Sequence, residues 1–128
     1  MQYLNIEQKD SIAIVSIARP EAMNALNQEV LKEFFSLQEY FRKDLDTRVV
    51  IFTGEGAHFS AGADLKEKAQ LSTKLESWRN NYGKPAIKSI LDIDQITIAA
   101  VNGYCLGGAA CIASCLLYTS DAADEGLG

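Results

Sequence analysis

Two stretches of this chain are built to leave peptide groups uncovered. Phe59-Ser60-Ala61-Gly62-Ala63-Asp64-Leu65 and Asn102-Gly103-Tyr104-Cys105-Leu106-Gly107-Gly108 each place small residues and glycines directly after an apolar, strand-like run, Val49 to Thr53 and Ile96 to Val101 respectively. Without bulky side chains, a ligand oxygen can approach the backbone N–H groups themselves. Two such loops meeting in space would give two donors for one oxygen, the arrangement that stabilises a developing oxyanion. Residue types alone leave a second reading open, in which the small residues only permit close packing where a strand turns into a helix. Gly107-Gly108 is similarly double-edged. It is a flexible helix entry, or a helix N-terminus with unpaired N–H groups and a positive dipole end.

The elements that must position these loops are legible from periodicity. Tyr3 to Gln8 and Ser11 to Ala18 read as strands flanking a hairpin turn at Lys9-Asp10, and Arg19-Pro20 ends the second. Ile12, Ile14, Val15 and Ile17 crowd together, which predicts burial on both faces of that strand. Asn27 is a candidate N-cap for a helix to about Lys43, with Val30, Phe34, Leu37 and Phe41 at helical spacing and Leu31 and Phe35 beside them. Arg48 to Thr53 and Ile96 to Val101 read as central parallel strands. Ser72 to Asn80 looks helical, Gly83 and Pro85 interrupt it, and a short helix to Leu91 follows; Gly107 to Cys115 opens another. This alternation of strand and helix is an α/β pattern.

Composition narrows the function classes. The chain has 128 residues, 48% hydrophobic and 23% charged, which bounds it to one domain at most with an ordinary globular make-up. A net charge of −5 without a Lys/Arg block argues against nucleic acid or an anionic membrane as partner. The N-terminus lacks the features of a signal or transit peptide, and no apolar run is long enough to span a bilayer, so the expected localisation is cytoplasmic. Cys105, Cys111 and Cys115 fit no zinc spacing and read as reduced, buried thiols; no metal site is expected. Neither a Gly-x-x-x-x-Gly-Lys nor a Gly-x-Gly-x-x-Gly motif is present, so no nucleotide cofactor is indicated.

Three motifs carry a resemblance. Arg19-Pro20-Glu21-Ala22-Met23-Asn24-Ala25-Leu26, Gly56 to Leu65 and Ala99 to Gly108 resemble, in order and spacing, the signatures of the enoyl-CoA hydratase/isomerase (crotonase) family. The resemblance implies crotonase-type ββα units, incomplete and matching the N-terminal half of the family domain. It divides the chain into a core over 1–115 and an irregular, non-family tail over 116–128, as an interrupted reading frame would leave. It implies an acyl-CoA thioester as substrate, with coenzyme A as part of that substrate and no separate cofactor. The oxyanion donors would be the N–H groups of Ala61 and Gly108. Ala22, Met23 and Ala25, Ala61, Gly62, Ala63, Asp64 and Leu65, with Gly107 and Gly108, would line the coenzyme A channel.

Asp64 also reads as the N-cap of a helix over Leu65 to Ala69. His58 reads as a surface residue, and Trp78 and Tyr82 as acyl-pocket lining or core packing. Where hydratases of the family carry their first catalytic glutamate, three residues past the oxyanion glycine, this chain has Cys111. A free thiol ordinarily titrates at about 8.5 and replaces a water-holding carboxylate poorly. Isomerase-like chemistry, which needs the hole and one base, is therefore favoured over hydration. No general base is visible beside Gly108 in sequence, so the chain by itself is expected not to turn over. The alternative is a non-catalytic acyl-CoA-binding or structural remnant. Family members assemble as trimers or hexamers through C-terminal helices that this chain is expected to lack, which would leave one apolar face of the sheet exposed.

Overall fold

A computed structural model describes residues 1–69, 81–116 and 118–121. The helix expected over Ser72 to Asn80, Trp78 with it, and the whole segment after Asp121 lie outside the described residues. Five strands form one sheet in chain order: β1 (Leu4–Lys9), β2 (Ile12–Ile17), β3 (Val49–Gly54), β4 (Ile96–Val101) and β5 (Tyr118–Asp121). β1 and β2 pair antiparallel around a tight turn, where Asp10 takes a φ of 55°. Every other neighbour is parallel and reached through helices, as parallel pairing requires. The α/β architecture is the one expected from the sequence.

Helix α1 (Gln28–Arg42) begins where Asn27 accepts the Val30 N–H at 2.8 Å, a cap worth about 0.5–2 kcal/mol. Its buried stripe is Val30, Leu31, Phe34, Leu37 and Phe41. Phe35, expected beside that stripe, is instead 51% exposed, because it falls on the helix flank that meets Tyr82. Helix α2 is a short turn, Leu65–Ala69. Helix α3 (Gly83–Leu91) is the short helix expected to end at Leu91, and it begins early enough to take in Gly83 and Pro85, which were expected to precede it. Pro85 sits in its first turn, where a missing N–H costs no helical bond. Helix α4 (Gly108–Ser114) follows β4.

The inner face of the sheet carries Ala13, Val15, Ile17, Val50, Phe52 and Ala99, which join Phe34, Ile90 and Ile112 in one core. Phe34 and Phe52 stack with ring centroids 6.2 Å apart. Each fully buried side chain of that size contributes about 1.5–3 kcal/mol. The opposite face is different. Ile12 is 40% and Ile96 45% exposed, while Ile14, Val49, Ile51 and Ile98 are only half-buried. Burial on both faces of β2 is therefore not realised: only alternate residues reach the core, because a strand sends successive side chains to opposite faces.

The segment expected as an irregular tail after Cys115 contains a strand. Tyr118–Asp121 pair with β4, Ile98 opposite Tyr118 and Val101 opposite Asp121. The β4 edge would otherwise present a row of unpaired peptide groups. Among the described residues, no helix is long and apolar enough to cross a membrane.

Candidate functional site

The two glycine-containing loops do meet. Ser60 bridges Cys105, with the Ser60 N–H donating to the Tyr104 carbonyl at 2.9 Å and the Leu106 N–H to the Ser60 carbonyl at 3.2 Å. Gly62, at φ 94°, passes so close that an added Cβ would lie 2.7 Å from the Leu106 carbonyl oxygen. Only glycine fits both the left-handed backbone and that gap. Gly107, at φ 53°, turns the second loop into α4.

A third segment completes the junction. The residues from Arg19 to Leu26 contain a 3₁₀ turn at Pro20–Ala22 and two consecutive left-handed residues, Met23 and Asn24. Buried Asn24 supports this turn by donating from Nδ2 to the carbonyls of Glu55 and His58. Leu26 then pairs with Ala63: its N–H donates to the Gly62 carbonyl at 2.7 Å, and its carbonyl accepts from Asp64 at 3.1 Å. Asn102 plays the corresponding part for the second loop, donating from Nδ2 to the carbonyls of Gly54 and Gly56.

Where these segments join lies a cavity of about 160 Å³, with Ala63, Asp64, Glu67, Gly108, Ile112 and Leu26 among its lining residues. The predicted site residues divide around it. Ala63, Asp64 and Gly108 line it; Ala61, Gly62, Leu65, Gly107 and Cys111 do not. The N–H of Ala61, expected to be an oxyanion donor, is already spent on the Met23 carbonyl at 3.0 Å. By contrast, the N–H groups of Ala63 and Gly108 donate to no described residue. The N–H left uncommitted lies two residues along the same loop, because the Met23 carbonyl passes Ala61, which residue types cannot reveal.

Ala22, Met23 and Ala25 sit in the adjacent turn rather than on the cavity wall. Their carbonyls accept, respectively, from the Ala25 N–H, the Ala61 N–H and Arg19 Nη1. Asp64 has the capping role open to it: Oδ1 accepts from the N–H groups of Lys66 and Glu67. Its second oxygen pairs with Arg19 Nη1 at 2.8 Å, both side chains being largely buried. The Arg19 hydrogen bond, ahead of the opposing effect of burial, holds the Asp64 carboxyl below its ordinary range. Leu65 is 76% exposed.

Cys111 is exposed, contrary to the buried thiol expected, and Cys105 and Cys115 are half-buried. Helix α4 gives Ala109, Ile112 and Ala113 to the core, so Ala110, Cys111 and Ser114 face outward. Burial pushes the Cys105 and Cys115 thiols up. His58 stacks on Tyr104, ring centroids 4.3 Å apart, and its Nδ1 accepts the Tyr104 N–H at 3.0 Å, so it braces the second loop. Tyr82 packs against the core and donates its N–H to Gln28 Oε1 at 2.7 Å.

Glu67 was missed. Asp64-x-x-Glu67 has the spacing of a capping box, in which the glutamate would return to the Asp64 N–H. That N–H goes to Leu26, and Glu67 instead accepts the Gln28 N–H at 2.9 Å and lines the cavity.

The family model described as enoyl-CoA hydratase/isomerase matches residues 7–124. The chain belongs to this family. The match continues past Cys115, where the resemblance read from the motifs stopped. The short-chain-enoyl-CoA hydratase of Clostridium acetobutylicum is 37% identical over 104 residues, covering 80% of this chain and 40% of the relative. A 4-chlorobenzoyl coenzyme A dehalogenase of an Arthrobacter species is 32% identical over 115 residues, covering 83% and 40%. Among solved structures, an enoyl-CoA hydratase/carnithine racemase from Magnetospirillum magneticum superposes with a TM-score of 0.87 at 29% identity, covering 93% of this chain and 46% of that one. An enoyl-CoA hydratase from Bacillus anthracis gives 0.86 at 27%, covering 92% and 46%. This family member thus spans less than half the length of each of these relatives.

Proposed function

We propose that the cavity receives the thioester carbonyl of an acyl-CoA and that the N–H groups of Ala63 and Gly108 hold its oxygen as an enolate forms. The observation carrying this reading is that both residues line one cavity with N–H groups that no described acceptor takes. Backbone donors fixed by a folded loop need no reorganisation when charge develops. The relatives support the same division of labour. Their names differ in reaction, hydratase against dehalogenase, and share a coenzyme A thioester.

Proton transfer of the isomerase type is favoured over hydration. The position where the resemblance places the first hydratase glutamate is Cys111, which is exposed and off the cavity wall. Hydration of crotonyl-CoA at an enzymatic rate is not expected of this chain, and a cytoplasmic setting suits its reduced thiols.

The test is the carbonyl stretch of crotonyl-CoA carrying ¹³C at the thioester carbon, recorded free and bound. Donation from two N–H groups should lower the frequency on binding, and Cys111→Ala should leave the shift unchanged. Binding without a shift would remove the oxyanion hole and leave an acyl-CoA-binding module. Loss of the shift in Cys111→Ala would return the thiol to the site.

A further inference from the structure

The geometry points to Glu67 as the general base of this site, with its Oε2 taking the proton from the carbon next to the thioester carbonyl. This inference rests on the thioester reading above. Two carboxylates line the cavity among the described residues, Asp64 and Glu67. Asp64 is fully engaged: Oδ2 faces Arg19 at 2.8 Å, and Oδ1 accepts two backbone N–H groups. Such an anion is stabilised as the anion and is a reluctant proton acceptor.

Glu67 is engaged on one side only. Oε1 accepts the Gln28 N–H at 2.9 Å, which orients the carboxylate, and Oε2 takes no hydrogen bond from a described residue. One oxygen anchored and one available, in a cavity that Ala63 and Gly108 also line, is the disposition a base requires. Because the Asp64 N–H is taken by Leu26, Glu67 is not held back by the capping box that its sequence position suggests.

The step balances without a co-reactant. The C–H electron pair becomes the enolate C=C bond, the carbonyl π pair moves to the oxygen between the two N–H groups, and Glu67 carries the proton. Return of that proton to the same carbon gives exchange; where the acyl chain already carries a β,γ double bond, the anion is a dienolate, and return of the proton to the γ carbon moves that double bond to the α,β position.

The experiment uses the chain as it is, with butyryl-CoA in D₂O, following deuterium entry at the carbon next to the carbonyl by mass spectrometry. Affinity and far-UV circular dichroism are measured in parallel. The wild type should exchange faster than buffer. Glu67→Gln keeps an acceptor for the Gln28 N–H and should lose about 10²–10⁴-fold of that acceleration with unchanged affinity. Glu67→Asp keeps a carboxylate and should retain more exchange than Glu67→Gln. A merely structural tie would rank the two variants the other way, because glutamine preserves the reach, and that ranking would overturn the inference. So would wild-type exchange in Glu67→Gln, or a wild type that binds butyryl-CoA without accelerating exchange. Failure to bind butyryl-CoA at all would instead overturn the thioester reading beneath it.

Discussion

The two loops that meet beside the cavity are held in opposite ways. The first, Ser60 to Asp64, is tied from several sides: Ser60 and Gly62 are buried, the Ser60 hydroxyl accepts the Gly62 N–H at 3.0 Å, and Asp64 pairs with Arg19. The second, Gly103 to Gly107, is mostly exposed and is positioned by backbone bonds to the first and by the His58 ring beneath Tyr104. One loop is thus a fixed template and the other hangs from it. A site that works through peptide groups, as proposed for this one, cannot adjust a side-chain rotamer to recover its geometry, so damage to the template should cost more than equal damage to its dependent.

The sharpest way to break this contrast is alanine at Gly62 in the first loop and at Gly107, where the second enters α4. Gly62→Ala meets the Leu106 carbonyl oxygen at 2.7 Å in a left-handed backbone. Overpacking added to strain should cost about 2–4 kcal/mol. Thermal unfolding should show it, together with loss of acyl-CoA binding. Unchanged stability would mean that the loops do not pack as described.

Removing the tie at Asp64 should do less. Arg19→Ala deletes a largely buried ion pair and the bond to the Ala25 carbonyl, a loss of about 1–2 kcal/mol. It should also change the acid limb of stability. The folded Asp64 carboxyl lies below its ordinary 3.8, so its contribution is present above that value and fades as pH falls through the lower, folded one. Arg19→Ala should flatten stability over this window, and an unaltered acid limb would show that the pair does not hold the loop.

Gly107→Ala should be the mildest. Nothing lies within 4 Å of an added Cβ, so the positive φ alone remains to be met, at roughly 1 kcal/mol. An effect as large as that of Gly62→Ala would erase the distinction between template and dependent loop.

Much of this was legible in the residues. The periodicity of α1, its Asn27 cap, the three inner strands and the two glycine-containing loops needed no coordinates, because each follows from local stereochemistry or from the alternation of apolar side chains. The hairpin turn at Asp10 was likewise local. What local rules misjudged were the start of α3, which comes before Pro85 because a first helical turn admits proline, and β5, which depends on an available edge of β4.

The tertiary structure alone decided which groups of the site are free. Ala61 and Ala63 are the same residue type in the same loop, yet one N–H meets the Met23 carbonyl and the other meets no described acceptor. Asp64 and Glu67 are both carboxylates on one short stretch, yet Arg19 engages the first while the second keeps an oxygen available. Cys111 holds the position where the resemblance places a catalytic group, and the helix turns it outward. A residue's type states what bonds it is able to make. Whether a bond is already made depends on which distant segment passes within 3 Å, and that is a property of the folded chain.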